Sequence, residues 1–98
     1  MDTEFSTGRL AAAARSLSEA SRAFGTPVGR KYIQRLAIIR AVDNFNDLYG
    51  HRSLRFHPLK GNRAGQSAIT LTGNYRLVLE RIREDAVLIV AVEDYHGD

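Results

Sequence analysis

Hydrophobic positions along the chain keep two different periods, and the change between them divides the sequence. In "RLAAAARSLSEASRAF" the apolar residues Leu10, Ala13, Ala14, Leu17 and Ala20 recur on one helical face, which predicts a helix from Thr7 or Gly8 to Phe24, stopped by Gly25. "GTPVG" then reads as a connector. A second stripe, Tyr32, Leu36 and Ile39 with Ile33 beside it, predicts a helix from near Arg30 to near Leu48. Beyond Gln66 the apolar positions alternate. In "SAITLTGNYRLVLERI", Ile69 and Leu71 share a face, as do Tyr75, Leu77 and Leu79, and the Gly73-Asn74 pair between them is a two-residue hairpin signal. "AVLIVAV" is nearly continuous, as in a strand inside a sheet and covered on both sides, while "MDTEF" predicts a short N-terminal strand. The expectation is one α+β domain over residues 1–98, with two helices packed on one face of a small antiparallel sheet.

Composition narrows what such a domain can be. With 44% apolar and 26% charged residues, the 98-residue chain has the balance of a folded domain rather than of a disordered one. It has no cysteine, which removes disulfides and thiolate zinc sites and fits a reducing compartment. No stretch has the pattern of a signal peptide or the length of a membrane span, so the expected location is cytoplasmic, with no membrane partner. A net charge of +3 tilts the chain toward anionic partners. The helical cations Arg30, Lys31, Arg35 and Arg40 flank the second apolar stripe and read first as a solvated face.

The candidate chemistry lies in two places. "SLRFHPLKGNRAGQ" gathers His57, Lys60 and Arg63 around glycines, and the most hydrophobic strand runs directly into "EDYHGD". If strand geometry continues, Glu93 and Tyr95 point to one side and Asp94 and His96 to the other. Zinc ligation by His51, His57, His96 and Asp94 is disfavoured because no His-x-x-His or His-x-x-x-His pair occurs. Ser53 and Ser67 lack a nucleophile elbow, and "GNRAG" matches neither a Walker loop nor a dinucleotide fingerprint. RNA cleavage needs neither metal nor protein nucleophile. The 2′-hydroxyl attacks, and the protein supplies a base, an acid and cations for the crowded phosphate. His57 and His96 could exchange protons, Lys60, Arg63 and Arg76 could supply charge, and Tyr95 could stack on a base or orient a phosphate. The residue types permit this chemistry without selecting it.

A family likeness does select it. "RFHPLKGNRAGQSAITLTGNYRLVLE" followed by "VEDYH" resembles the HigB group of RelE-like toxins of bacterial type II toxin–antitoxin systems, also called plasmid maintenance killer proteins. The likeness rests on the Leu59–Ser67 run with Lys60, Gly61, Arg63 and Gln66, on the Tyr75-Arg76 pair, and on the terminal Asp-Tyr-His. It implies a RelE-like fold and a ribosome-dependent messenger-RNA endoribonuclease that inhibits translation without a cofactor or metal. It implies as partners the ribosome, messenger RNA and a cognate helix-turn-helix antitoxin, with DNA reached only through that antitoxin. His57, Lys60, Arg76, Asp94, Tyr95 and His96 fall on the family's functional positions, and Arg63 joins Lys60 and Arg76 as a phosphate-binding candidate. Ser67 and Tyr75 stand where the family often has an aromatic and a tryptophan, and Gly97-Asp98 extends past His96. Two alternatives stay open: a ParE-like inhibitor of DNA gyrase, which would share the outline, and a catalytically decayed RNA-binding member.

Overall fold

The computed structural model describes residues 1–95, so His96 lies outside the described residues. The chain runs β1 (Asp2–Phe5), α1 (Gly8–Ala13), α2 (Leu17–Phe24), α3 (Thr26–Ala41), β2 (His57–Pro58), β3 (Gln66–Thr70), β4 (Tyr75–Arg83) and β5 (Ala86–Asp94), with short 3-10 turns over 45–50, 52–54 and 61–63. The strands form one sheet in the order β1-β5-β4-β3-β2. The class is the expected α+β. The sheet, however, is mixed rather than wholly antiparallel, because β1 pairs with β5 in parallel, Asp2 with Ala86 through Phe5 with Ile89.

The helical layer differs from its expectation in three places, each with a local cause. The first predicted helix is two helices. Ser16 takes an extended conformation and its hydroxyl accepts the Glu19 N–H, which starts α2 afresh as an N-cap. "GTPVG" is not a connector but the first turn of α3, where Pro27 fills an early position whose missing N–H costs nothing. Gly29 belongs there for packing: a Cβ at this position would sit 2.6 Å from the Ala20 carbonyl carbon, so its absence lets α3 cross α2 in backbone contact. Finally α3 ends at Ala41, and a reciprocal Asn44–Asp47 capping box opens the 3-10 turn that follows.

One core joins the layers. Leu10, Ala20, Tyr32, Leu36 and Ile39 from the helices meet Ile69, Leu77, Leu79, Val87 and Ile89 from one face of the sheet. Tyr32 is fully buried and donates its hydroxyl to the Leu10 carbonyl at 2.7 Å. Burial pushes this phenol well above its ordinary pKa, with the nearby Arg40 charge pulling it back slightly.

The turn from β3 to β4 is longer than predicted. Residues 71–74 separate the strands, the Leu71 and Thr72 N–H groups both donate to the Tyr75 carbonyl, and Gly73 is not among the positive-φ residues that a type I′ turn requires. In β5 the register jumps, with Leu79 opposite Ile89 and Val78 opposite Ala91, leaving Val90 as a bulge. The bulge reverses the alternation. Val87 and Ile89 face the helices, and strict period two would send Glu93 the same way; instead Val92 packs on the core and Glu93 turns to the outer face. No helix among the described residues is long and apolar enough to cross a membrane.

Candidate functional site

The outer face owes its layout to strand register. Thr70, Arg76 and Glu93 lie in one row across β3, β4 and β5, and His57, Ala68, Val78 and Ala91 form the adjacent row from β2 to β5. Directly opposed residues project to the same face, so Arg76, Glu93 and His57 share it. His57 is two strands from Arg76, a lateral offset of about 10 Å at the usual strand spacing.

The loop between β2 and β3 brings a further cation onto this face. Its ends are tied by the Leu59 N–H donating to the Gln66 carbonyl at 2.8 Å. Gly61 and Gly65 hold φ values of 67° and 96°, which a residue with a side chain adopts at a cost. The resulting turn sends Arg63 over β4 to β5. Its Nε donates to Gln66 Oε1 at 3.1 Å, and its Nη1 and Nη2 donate to Glu93 Oε1 and Oε2 at 2.7 and 3.2 Å. From the strand side, Arg76 Nε donates to the same Glu93 Oε1 at 2.8 Å, and Arg76 Nη2 lies 2.7 Å from it. Gln66 Nε2 donates onward to Glu80 Oε2 at 3.1 Å. Arg76, Glu93, Arg63, Gln66 and Glu80 thus form one hydrogen-bonded chain that pins the loop to the sheet.

Glu93 is the hub, and its side chain retains 28% exposure, against 14% for Arg76 and 34% for Arg63. Hydrogen bonds from Arg63 hold its carboxyl below the usual carboxylate range; partial burial opposes this, and Arg76 adds to it. The same contact raises the pKa of Arg63. Two guanidinium groups on one carboxylate leave the trio with net charge +1, and neither arginine spends all five of its N–H groups on Glu93. Arg76 is fixed from a second side. Its guanidinium carbon lies 4.7 Å from the centroid of the Tyr95 ring, whose position past the strand end is secured by the Tyr95 N–H donating to the Asn74 carbonyl at 2.8 Å.

His57 is exposed on its edge strand. Its Nδ1 lies 2.8 Å from the Arg55 carbonyl. A carbonyl only accepts, so Nδ1 carries the proton, and in the neutral ring Nε2 is the basic nitrogen. Arg55 takes a left-handed conformation, φ 50°, to turn the chain from the preceding 3-10 turn into β2. Beside it Phe56 is buried, with edge-on contacts to Phe45 and Tyr49 at 5.2 and 4.7 Å, which anchors the strand that presents His57.

The structure therefore unites Arg63, Arg76 and Tyr95, sets His57 on the same face, and leaves Lys60 exposed at the head of the 61–63 turn. Asp94 stands opposite Tyr75 on the other side of β5 from Glu93. No group of three His, Cys, Asp or Glu among the described residues has metal-holding geometry. Glu93, Gln66 and Glu80 were not among the sequence candidates. The cross-strand match of Arg76 with Glu93 is the signal that could have found the hub, but only with the bulge at Val90 known.

Comparison with known proteins agrees with this frame. No protein-family profile matches the chain. Over 60 residues, 59% of this chain, the sequence is 35% identical to Endoribonuclease HigB of Proteus vulgaris, and the match spans 64% of that protein, just under two thirds of its length. The YoeB/ParE toxin from Agrobacterium tumefaciens superimposes with a TM-score of 0.60 at 15% identity, covering 98% of this chain and 100% of that one. YafQ from E. coli does so with a TM-score of 0.57 at 16% identity, covering 95% and 91%. The chain is thus similar in sequence to HigB over part of its length and shares the fold of the YoeB/ParE and YafQ toxins.

Proposed function

We propose that the protein is an endoribonuclease toxin of a toxin–antitoxin system, cutting messenger RNA on the translating ribosome and so inhibiting translation. The observation that carries this reading is the convergence of Arg63, from a loop, and Arg76, from a strand, at one point on the face that also holds Tyr95 and His57. The sequence similarity to an endoribonuclease supports it.

In the proposed reaction His57 Nε2 takes the proton of an RNA 2′-hydroxyl. The 2′-oxygen attacks the adjacent phosphorus, the bond from phosphorus to the 5′-oxygen breaks, and the products are a 2′,3′-cyclic phosphate and a 5′-hydroxyl end. Arg63 and Arg76, with Lys60 near the loop head, stabilise the added charge on the five-coordinate phosphorus. Tyr95 keeps Arg76 aimed. With His57 as the base, His96 is the proposed proton donor to the leaving oxygen, and Asp94 joins the set because it too falls on a functional position of the family the sequence resembles. No metal enters the mechanism. The sparse acid–base equipment is the reason to assign substrate positioning to the ribosome. The proposed antitoxin meets this basic face with acidic or apolar residues, and its association slows as salt rises.

The test is purified protein added to a reconstituted translation system, with RNA 5′ ends mapped. New ends within ribosome-bound messages and few in free RNA are expected. Equal cutting of both removes the ribosome from the proposal. Intact messages with inhibited DNA supercoiling replace the nuclease by a gyrase inhibitor.

A further inference from the structure

We infer that Glu93 is a positioning residue: a shared counter-ion that aims Arg63 and Arg76 as a two-guanidinium cradle for an RNA phosphate and sets the charge of that cradle. This rests on the proposed RNA-cleaving reading and adds to it a residue that neither the sequence motif nor the residue chemistry had singled out.

Two arginines held at one point repel each other and, unrestrained, sample many rotamers. Glu93 removes both problems. It accepts from Arg63 at 2.7 and 3.2 Å and from Arg76 at 2.8 Å, so one carboxylate fixes two planar groups that originate on different elements. The sheet fixes Glu93 in turn, since the bulge at Val90 turns it outward and its backbone is paired with Arg76. Three supports complete the cradle: Tyr95 against Arg76, Gln66 on Arg63 Nε, and the glycine-bearing loop that carries Arg63. N–H groups not spent on Glu93 remain to meet a phosphate, and a preset geometry spares the reaction the cost of assembling it. The other acid in this hydrogen-bonded network, Glu80, accepts from Gln66 and not from an arginine, which makes it the natural control.

The roles separate under substitution. Glu93→Gln keeps the size and one acceptor oxygen but loses the charge and faces the arginines with an amide N–H₂. Maximal cleavage of ribosome-bound message is expected to fall about 10²-fold, the scale of a lost preset contact, while KM does not rise. Freed of their internal counter-ion, the arginines should release one more salt ion on binding, so the slope of log affinity against log salt for a single-stranded RNA oligonucleotide steepens by about 0.7. Glu80→Gln should leave that slope as in the wild type, and Glu93→Asp should restore it while recovering only part of the rate. An unchanged slope in Glu93→Gln, or an equal change in Glu80→Gln, overturns the inference.

A second measurement needs no RNA. The Nε–H proton of Arg76, which Glu93 accepts, should exchange slowly by NMR in the wild type and fast in Glu93→Gln, with Glu80→Gln leaving it slow. If wild-type protein neither binds nor cuts RNA but this contrast holds, the nuclease reading fails and the positioning role of Glu93 stands. If Arg76 exchange is the same in wild type and Glu93→Gln, the positioning role fails whatever the RNA assays give.

Discussion

The helical layer and the outer face of the sheet are built on opposite terms. Where α2 crosses α3 the contact is apolar and close: Ala20 is buried, Gly29 leaves no room for a Cβ, and Tyr32 spends its hydroxyl on the Leu10 carbonyl. At the end of β5 the contacts are ionic, half-exposed and shared among residues far apart in sequence, Arg63 with Glu93 and Arg76 with Glu93. Such pairs contribute little stability for their number, since solvent competes for each of them, but they fix direction. The first region holds the protein together and the second holds cations in aim. Substitutions should therefore sort cleanly, those in the helical layer lowering the folded fraction and those on the outer face lowering the rate of each folded molecule.

The largest separation is expected from the histidines. His57→Ala should cut the cleavage rate by about 10²- to 10⁴-fold, the usual contribution of a general acid or base, and leave the melting temperature alone because the ring is exposed. His96→Ala should behave likewise; full activity in both removes them from the site. Gly29→Ala is the converse. Its methyl meets the Ala20 backbone, which cannot yield without parting α2 from α3, so a loss of about 3 kcal/mol is expected in urea titration, with the rate per folded molecule retained. Loss of specific rate in Gly29→Ala would show that the two regions are coupled.

Tyr32→Phe should cost about 1–2 kcal/mol by leaving the buried Leu10 carbonyl without its donor, again with specific rate unchanged. The smallest effect is a pH dependence. The carboxyl pKa of Glu93 is depressed in the folded protein, so its stabilisation is present above the unfolded-state value and is lost as pH falls through the folded one. Wild type and Glu93→Gln should accordingly differ by about 1 kcal/mol at neutral pH and converge as the pH drops below about 4. A difference that does not shrink as the pH falls would place the effect in packing rather than in charge.

This contrast also explains which parts were legible in the sequence. The β3–β4 hairpin is readable because period-two alternation reports one buried face, β5 because a nearly continuous apolar run marks a strand inside the sheet, and the stripe Tyr32, Leu36, Ile39 because period 3.6 reports one buried helical face. Alanine-rich composition, which favours a continuous helix, masks the break at Ser16, although Ser16 and Glu19 carry the spacing of an N-cap signal. Pro27 and Gly29 read as breakers when one begins α3 and the other fits its crossing with α2. The parallel pairing of β1 with β5 joins residues more than eighty positions apart and leaves no local pattern. At the site, Arg63, Arg76 and Tyr95 were named from residue type and likeness. Glu93 was not, because a single bulged residue, Val90, decides whether it faces the core or the arginines, and "AVLIVAV" gives no sign of where the bulge falls.

The proposed activity requires the arginines on the outer face to act on RNA phosphate. The direct measurement is cleavage of ribosome-bound messenger RNA by Arg76→Ala, expressed per folded molecule and set beside Gly29→Ala. A fall of about 10²- to 10³-fold in Arg76→Ala, with a melting temperature closer to wild type than that of Gly29→Ala, is the predicted result. Wild-type cleavage by folded Arg76→Ala would contradict it.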